Sequence, residues 1–224
     1  MAITAATVID EARDRHAAFD RKRIPDRMAR RFLSNYAIQL HGRILAIDPD
    51  ALRVDVVTAL PLADFDAGIA LPAGVRYIAD VVTTEPDTVA NPRTVPVTLL
   101  PAAQRNAPNG PLAAVWQVGS TVYLRSPATL WRYMGSITIA YVPLPVELAD
   151  LNAVLPVPDA AKLACVESVA AFMARRGSTD SSAPEIDLQE FNQEKTEAEG
   201  AYLADVANRL TGQVWITQDT YRPS

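Results

Sequence analysis

The sequence predicts an α+β protein: an α-helical bundle of about four helices drawn from both chain ends, with an antiparallel β-rich region inserted between them. Apolar residues recur at helical spacing before residue 50 and again after residue 157. Between them, over 53–143, β-branched residues sit in short runs punctuated by Pro, Gly and Asp. Hydrophobic residues make up 49% of the 224, enough for burial to offset chain entropy and to exclude disorder. The organisation expected is one domain over 1–212, helical in 1–50 and 157–212 with the insertion at 53–143, followed by a tail over 213–224.

The first helix is expected to start after Thr4, a good N-cap, and to run towards Phe19, with Ile9, Ala12, His16 and Phe19 on one stripe. The second starts at Pro25-Asp26, where a missing N–H costs nothing and an acid complements the helix dipole. Its stripe is Met28, Phe32, Tyr36, Leu40 and Ile44, widened by Leu33 and Ala37, and Asp48-Pro49-Asp50 ends it. Val54, Val56, Val75, Tyr77, Val81, Val95, Val97 and Leu99 mark strands. Gly119-Ser120 supplies the positive φ of a two-residue hairpin between 113–118 and 121–124, to which Ser136–Tyr141 is expected to add a third strand. Six prolines between Pro86 and Pro111 make that stretch loop or edge strand.

A helix from Pro158-Asp159 to Arg176, stopped by Gly177 at C′, is apolar on two sides: Leu163, Val166, Ala170 and Met173 on one, Cys165, Val169 and Phe172 on the other. Such a helix lies between layers. The last helix, 187–210, carries Leu188, Phe191, Ala198, Tyr202, Val206 and Leu210 opposite its acids.

The function classes narrow by elimination. The net charge of -5 argues against a general nucleic-acid binder. One cysteine permits no internal disulfide and fits a reducing compartment. The opening residues turn polar too soon for a signal peptide, and no apolar run is long enough to span a membrane. His16 and His41 lie on separate helices without a second ligand at i+4, and Cys165 lies inside an apolar helix; all three read as packing residues. No phosphate-cradling glycine motif occurs, Asp48-Pro49-Asp50 lacks the rest of a calcium loop, and no G-x-S-x-G is complete. No catalytic, metal or cofactor site is expected, and the protein is expected not to be an enzyme.

What remains is contact surface. Arg21, Lys22, Arg23, Arg27, Arg30 and Arg31 form the densest charged cluster. Residues 1–46 hold nine basic residues against five acids, and 178–224 hold three against nine. Such clusters are commonly solvated faces; the alternative is an acidic partner, and opposite-sign ends attract within one chain or between neighbours. Trp131-Arg132-Tyr133 is either a contact patch or an aromatic lip on the sheet. In the tail, Val214, Trp215, Ile216 and Tyr221 either dock back onto the domain or insert into a partner.

Three segments resemble the head-to-tail connector (adaptor) proteins of tailed bacteriophages. They are Val8-Ile9-Asp10-Glu11-Ala12-Arg13 leading on to the helix Met28–Ile47; Thr121-Val122-Tyr123-Leu124-Arg125-Ser126-Pro127 with Ile137-Thr138-Ile139-Ala140-Tyr141-Val142-Pro143-Leu144-Pro145; and Leu155-Pro156-Val157-Pro158-Asp159-Ala160-Ala161 opening an alanine-rich helix. The resemblance covers most of the chain and leaves out 86–111. It implies a virion protein, made in the host bacterial cytoplasm, forming a ring of about twelve copies under the portal protein. DNA would pass non-specifically through the lumen, and no membrane would be involved. It further implies portal docking through Val214, Trp215, Ile216 and Tyr221, helices in the ring wall, and the β-rich insertion facing the next tail component. Arg21, Lys22, Arg23, Arg27 and Arg31 are then the expected subunit contacts. The alternatives are another tail or baseplate completion protein and, from a different class, a small-ligand-binding domain or enzyme.

Overall fold

In a computed structural model the described residues are 2–60, 62, 67–86, 88–104, 114–125, 134–179 and 186–219, with the backbone alone at 102 and 210–219. They form an α+β structure of four helices and two four-stranded sheets. The chain divides into two compact units: Met1–Leu52 with Pro145–Ser224, and Arg53–Leu144. Trp131, Arg132, Tyr133 and Tyr221 lie outside the described residues.

The helical unit begins with α1, Ala5–Arg13, whose N-cap Thr4 accepts from the Thr7 N–H through its hydroxyl at 3.4 Å. The helix stops at Arg13 and does not reach Phe19. Arg13 competes for the chain that follows: its guanidinium meets Asp26 at 2.6 Å and donates to the carbonyls of Ile24 at 2.8 Å and Phe19 at 3.3 Å. Phe19 is buried all the same, 5.3 Å from the Phe191 ring. Helix α2 spans Asp26–Ile47 and ends at Asp48, where Pro49 follows. Its buried row is Ala29, Leu33, Ala37, Leu40 and Ile44, whereas Met28 is exposed and Phe32 only half-buried. Strict four-residue spacing drifts about 40° per step around a helix, so the expected row wound off the core at its start.

The chain returns beside these helices. The Ala5 and Ala6 N–H groups donate to the carbonyls of Ala153 and Leu151, and the Leu148 N–H donates to the Ser34 hydroxyl at 3.0 Å. Helix α3, Lys162–Gly177, follows one 3-10 turn and packs on α1, α2 and the last helix. It is buried nearly all round, as its composition predicts, although Leu163 faces out, 56% exposed. Gly177 is not a left-handed cap. It is the last helical residue, and a Cβ there would meet the Ile186 Cδ1 at 2.8 Å; the glycine makes room for packing. Helix α4 runs Leu188–Asp219. Asp187 caps it, accepting from the N–H groups of Gln189 and Glu190. The expected end near Leu210 is overrun by nine residues. Gly212 costs a helix about 1 kcal/mol, but with no proline before Pro223 nothing stops it.

In the second unit, β1 (Val54–Ala59), β3 (Val75–Thr84), β4 (Thr94–Pro96) and β8 (Ser136–Pro143) form one sheet in the order β1-β8-β3-β4. The other contains β2 (Ile69–Ala70), β5 (Thr98–Leu100), β6 (Ala114–Val118) and β7 (Thr121–Leu124), ordered β2-β7-β6-β5. The hairpin forms with Gly119 at φ +59°, but β8 does not join it. Ile137, Ile139, Ala140, Tyr141 and Val142 are all buried, a near-continuous run that suits a central strand with neighbours on both sides. β8 therefore sits between β1 and β3, and the shorter hairpin strands pair elsewhere. The insertion is not wholly antiparallel either: β5 runs parallel to β6. Among the described residues of the Pro-rich stretch both strands, β4 and β5, are edges as expected. Only Val97 separates them. Its N–H donates to the Val81 carbonyl at 2.8 Å and its side chain is buried, so the chain crosses from one sheet to the other through the shared core.

Gly135 has a different duty. A Cβ there would lie 2.6 Å from the Pro86 Cα and 2.8 Å from its N, backbone atoms that cannot swing aside. Gly135→Ala is expected to cost about 1–3 kcal/mol, read as a lower urea midpoint with unchanged m-value.

Candidate functional site

The groups from which chemistry is usually built are engaged in packing. Cys165 is fully buried, and burial pushes its thiol up to about 12, far from the range of a reactive thiolate. The His16 Nδ1 accepts from the Ala18 N–H at 3.1 Å, and its ring lies 5.4 Å from that of Phe19. His41 is 1% exposed on the inner face of α2. Burial likewise raises the Tyr36 hydroxyl, which donates to Glu199 at 3.0 Å while Arg43 pairs with the same carboxylate. Among the described residues no three His, Cys, Asp or Glu side chains come together as a metal site. No described helix is long and apolar enough to cross a membrane.

One acid stands apart. Glu167, on α3, is buried with Arg15 on one carboxylate oxygen, and among the described residues its Oε2 has no hydrogen-bond partner. Burial raises its pKa; Arg15 works against that rise and Glu194 adds to it.

The structure divides the basic cluster in two. Arg21 reaches Asp10 at 3.3 Å and Asp26 at 3.7 Å, and Arg23 lies 3.9 Å from Asp20. Asp20 also accepts from the N–H groups of Lys22 and Arg23, which together with Arg23 holds its carboxyl below the usual range. Arg27 and Arg31 belong to the outer side of α2. With Arg30, Ser34, Asn35, Glu147 and Leu148 they line a groove of about 370 Å³. Arg30 donates to the Ala149 carbonyl. Among the described residues no carboxylate pairs with Arg27, Arg30 or Arg31, although Arg13, Arg15, Arg21, Arg23 and Arg43 each have one.

No family model matches the chain, and no curated protein matches it.

The acids gather on α4. Asp187, Glu190, Glu194 and Glu197 follow one another at three and four residues, so they share a face, and with Gln189 and Gln193 they line a groove of about 610 Å³. None of the four is ion-paired among the described residues. Val214, Trp215 and Ile216 lie in the final turns of the same helix. The arrangement offers charged and helical surfaces to a macromolecule. Sequence reasoning missed the roles of Arg13, Arg15 and Glu167: Glu167 is 152 residues from Arg15, and the partners of Arg13 lie 6 to 13 residues on, outside any helical spacing.

Proposed function

We propose that this chain is a non-enzymatic structural protein, a head-to-tail connector of a tailed bacteriophage. Copies form a ring under the portal, with helices from both chain ends bundled into its wall and the β-rich insertion turned towards the next tail component. DNA passes through the lumen without sequence-specific contacts. The resemblance in the three segments supplies the family, and the length of α4 is the observation that carries the docking role. Its buried stripe runs Phe191, Tyr202, Val206. Trp215 follows Val206 by nine residues, two and a half turns, which puts its position on the side of the helix opposite that stripe. A helix that continues through Val214, Trp215 and Ile216, past Val206, supports a segment that enters a partner.

The test is to mix the purified protein with portal complexes and image them, comparing the full chain with one lacking residues 213–224. The full chain should cap the portals in rings and the shortened chain should not. Equal capping by both would remove the docking role, and capping by neither would remove the connector reading.

A further inference from the structure

We infer that the arginine groove on α2 receives the acidic face of α4 from a second copy of this chain. The inference deepens the connector reading, on which it rests, by naming the contact between neighbours. Its starting point is a contrast among the basic residues. Arg13, Arg15, Arg21, Arg23 and Arg43 each find a carboxylate within the chain. Arg27, Arg30 and Arg31 do not among the described residues, and they lie within one helical turn of each other along one groove. Like charges so placed repel; Glu147 lines the same groove, and Asp26 and Asp150 line a second one with Arg27 and Arg30, but among the described residues none of these acids closes an ion pair with the three arginines.

The acids of α4 are the complement. Asp187 is accounted for as the cap, and Glu190 by its favourable place in the first turn. Glu194 and Glu197 lie beyond the reach of either explanation, and the stripe they continue has no cation paired with it among the described residues. Lys195 lies on the same helix, but its neighbours are Arg175 and Arg43, and burial holds its pKa down. Two helical faces of opposite sign, each without an ion-pair partner among the described residues, satisfy each other between copies. Because the two faces are different surfaces, the contact is heterologous, the kind that repeats around a ring when its rotation closes. Arg21 and Arg23 drop out of the contact, since Asp10, Asp20 and Asp26 already engage their guanidinium groups, whereas Lys22 meets Asp20 through its backbone N–H alone. An acidic partner fits the groove better than duplex DNA does, because the same chain supplies the matching acidic stripe and is acidic as a whole.

Charge swapping tests the pairing. Arg27→Glu/Arg31→Glu makes both faces acidic, and Glu190→Lys/Glu197→Lys makes both basic; Arg30, which donates to the Ala149 carbonyl, and Glu194, whose charge bears on Glu167, are left alone. Circular dichroism verifies that both variants fold. Sedimentation velocity over a range of concentrations should show the wild type self-associating, about tenfold or more weaker in high salt than in low. Each variant by itself should be monomeric where the wild type associates, and an equimolar mixture should associate again, because each acidic face then meets a basic one. A wild type that stays monomeric at every concentration, variants that associate like the wild type, or a mixture that fails to recover would each overturn the pairing. So would an arginine variant that self-associates normally but loses retention on duplex DNA. Portal capping by a chain indifferent to both swaps would sink this contact and leave the connector reading standing; a charge-swappable contact without portal capping would do the reverse.

Discussion

Arg15→Ala is expected to lower stability by about 2–3 kcal/mol at pH 8 and by far less at pH 4.5. The carboxylate of Glu167 is buried, and Arg15 is its ion-pair partner. Removing one member of a buried pair usually costs more, but the Arg15 side chain is 43% exposed, so water screens part of the attraction. The pH dependence follows from the direction of the shift. Burial raises the folded-state pKa of Glu167 above its ordinary value, so the folded chain holds this proton more tightly than the unfolded one. The associated stability is complete below the ordinary carboxyl range and is lost as pH rises through the folded value. Arg15→Ala removes the one influence that lowers that pKa, so the loss extends further and the gap to wild type widens with pH. Glu167→Gln should flatten the dependence, and in combination with Arg15→Ala it should recover most of the loss at pH 8. Urea denaturation of the four proteins at the two pH values measures this; an equal Arg15→Ala deficit at both would exclude the carboxylate as its origin.

How far the sequence reads depends on how far apart the interacting groups lie. Thr4, Pro25, Asp48-Pro49 and Gly119-Ser120 act within a few residues, and each element end or turn they predict is present. The two strands described in the Pro-rich stretch are edges for an equally local reason, the missing proline donors. Several of the failures come from partners beyond one helical turn or from another element. Nothing near Arg13 announces that its guanidinium will take the carbonyls of Phe19 and Ile24 and end α1 early. β8 joins the sheet in which β1 and β3 can pair along both of its edges, and hairpin proximity misled. Gly177 looks like a stop signal, yet its reason is Ile186 across the helix end. The contact surface divides in the same way. The arginine cluster and the acidic last helix are visible as composition, but which arginines retain unneutralised charge depends on where Asp10, Asp20, Asp26, Glu167 and Glu199 fold.

Ile139→Ala should be the most damaging single truncation in the β-rich unit, at about 3–4 kcal/mol. Ile139 is fully buried on β8, paired with Val56 of β1 on one side and Val81 of β3 on the other. Its side chain belongs to the cluster that both sheets share, with Val97, Val115, Val122 and Leu124. Alanine removes three carbons and leaves a void that a strand held by ladders on both edges cannot collapse to fill, so the transfer and cavity costs add. Val57→Ala is the matched control: it stands on the outer strand of the same sheet, 65% exposed, and should change stability by under about 0.5 kcal/mol. Equilibrium urea unfolding monitored by circular dichroism gives both numbers. A small effect at Ile139 would mean that the two sheets do not share one packed interior. It would also remove the reason for Val97 to turn inward where the chain passes from β4 to β5.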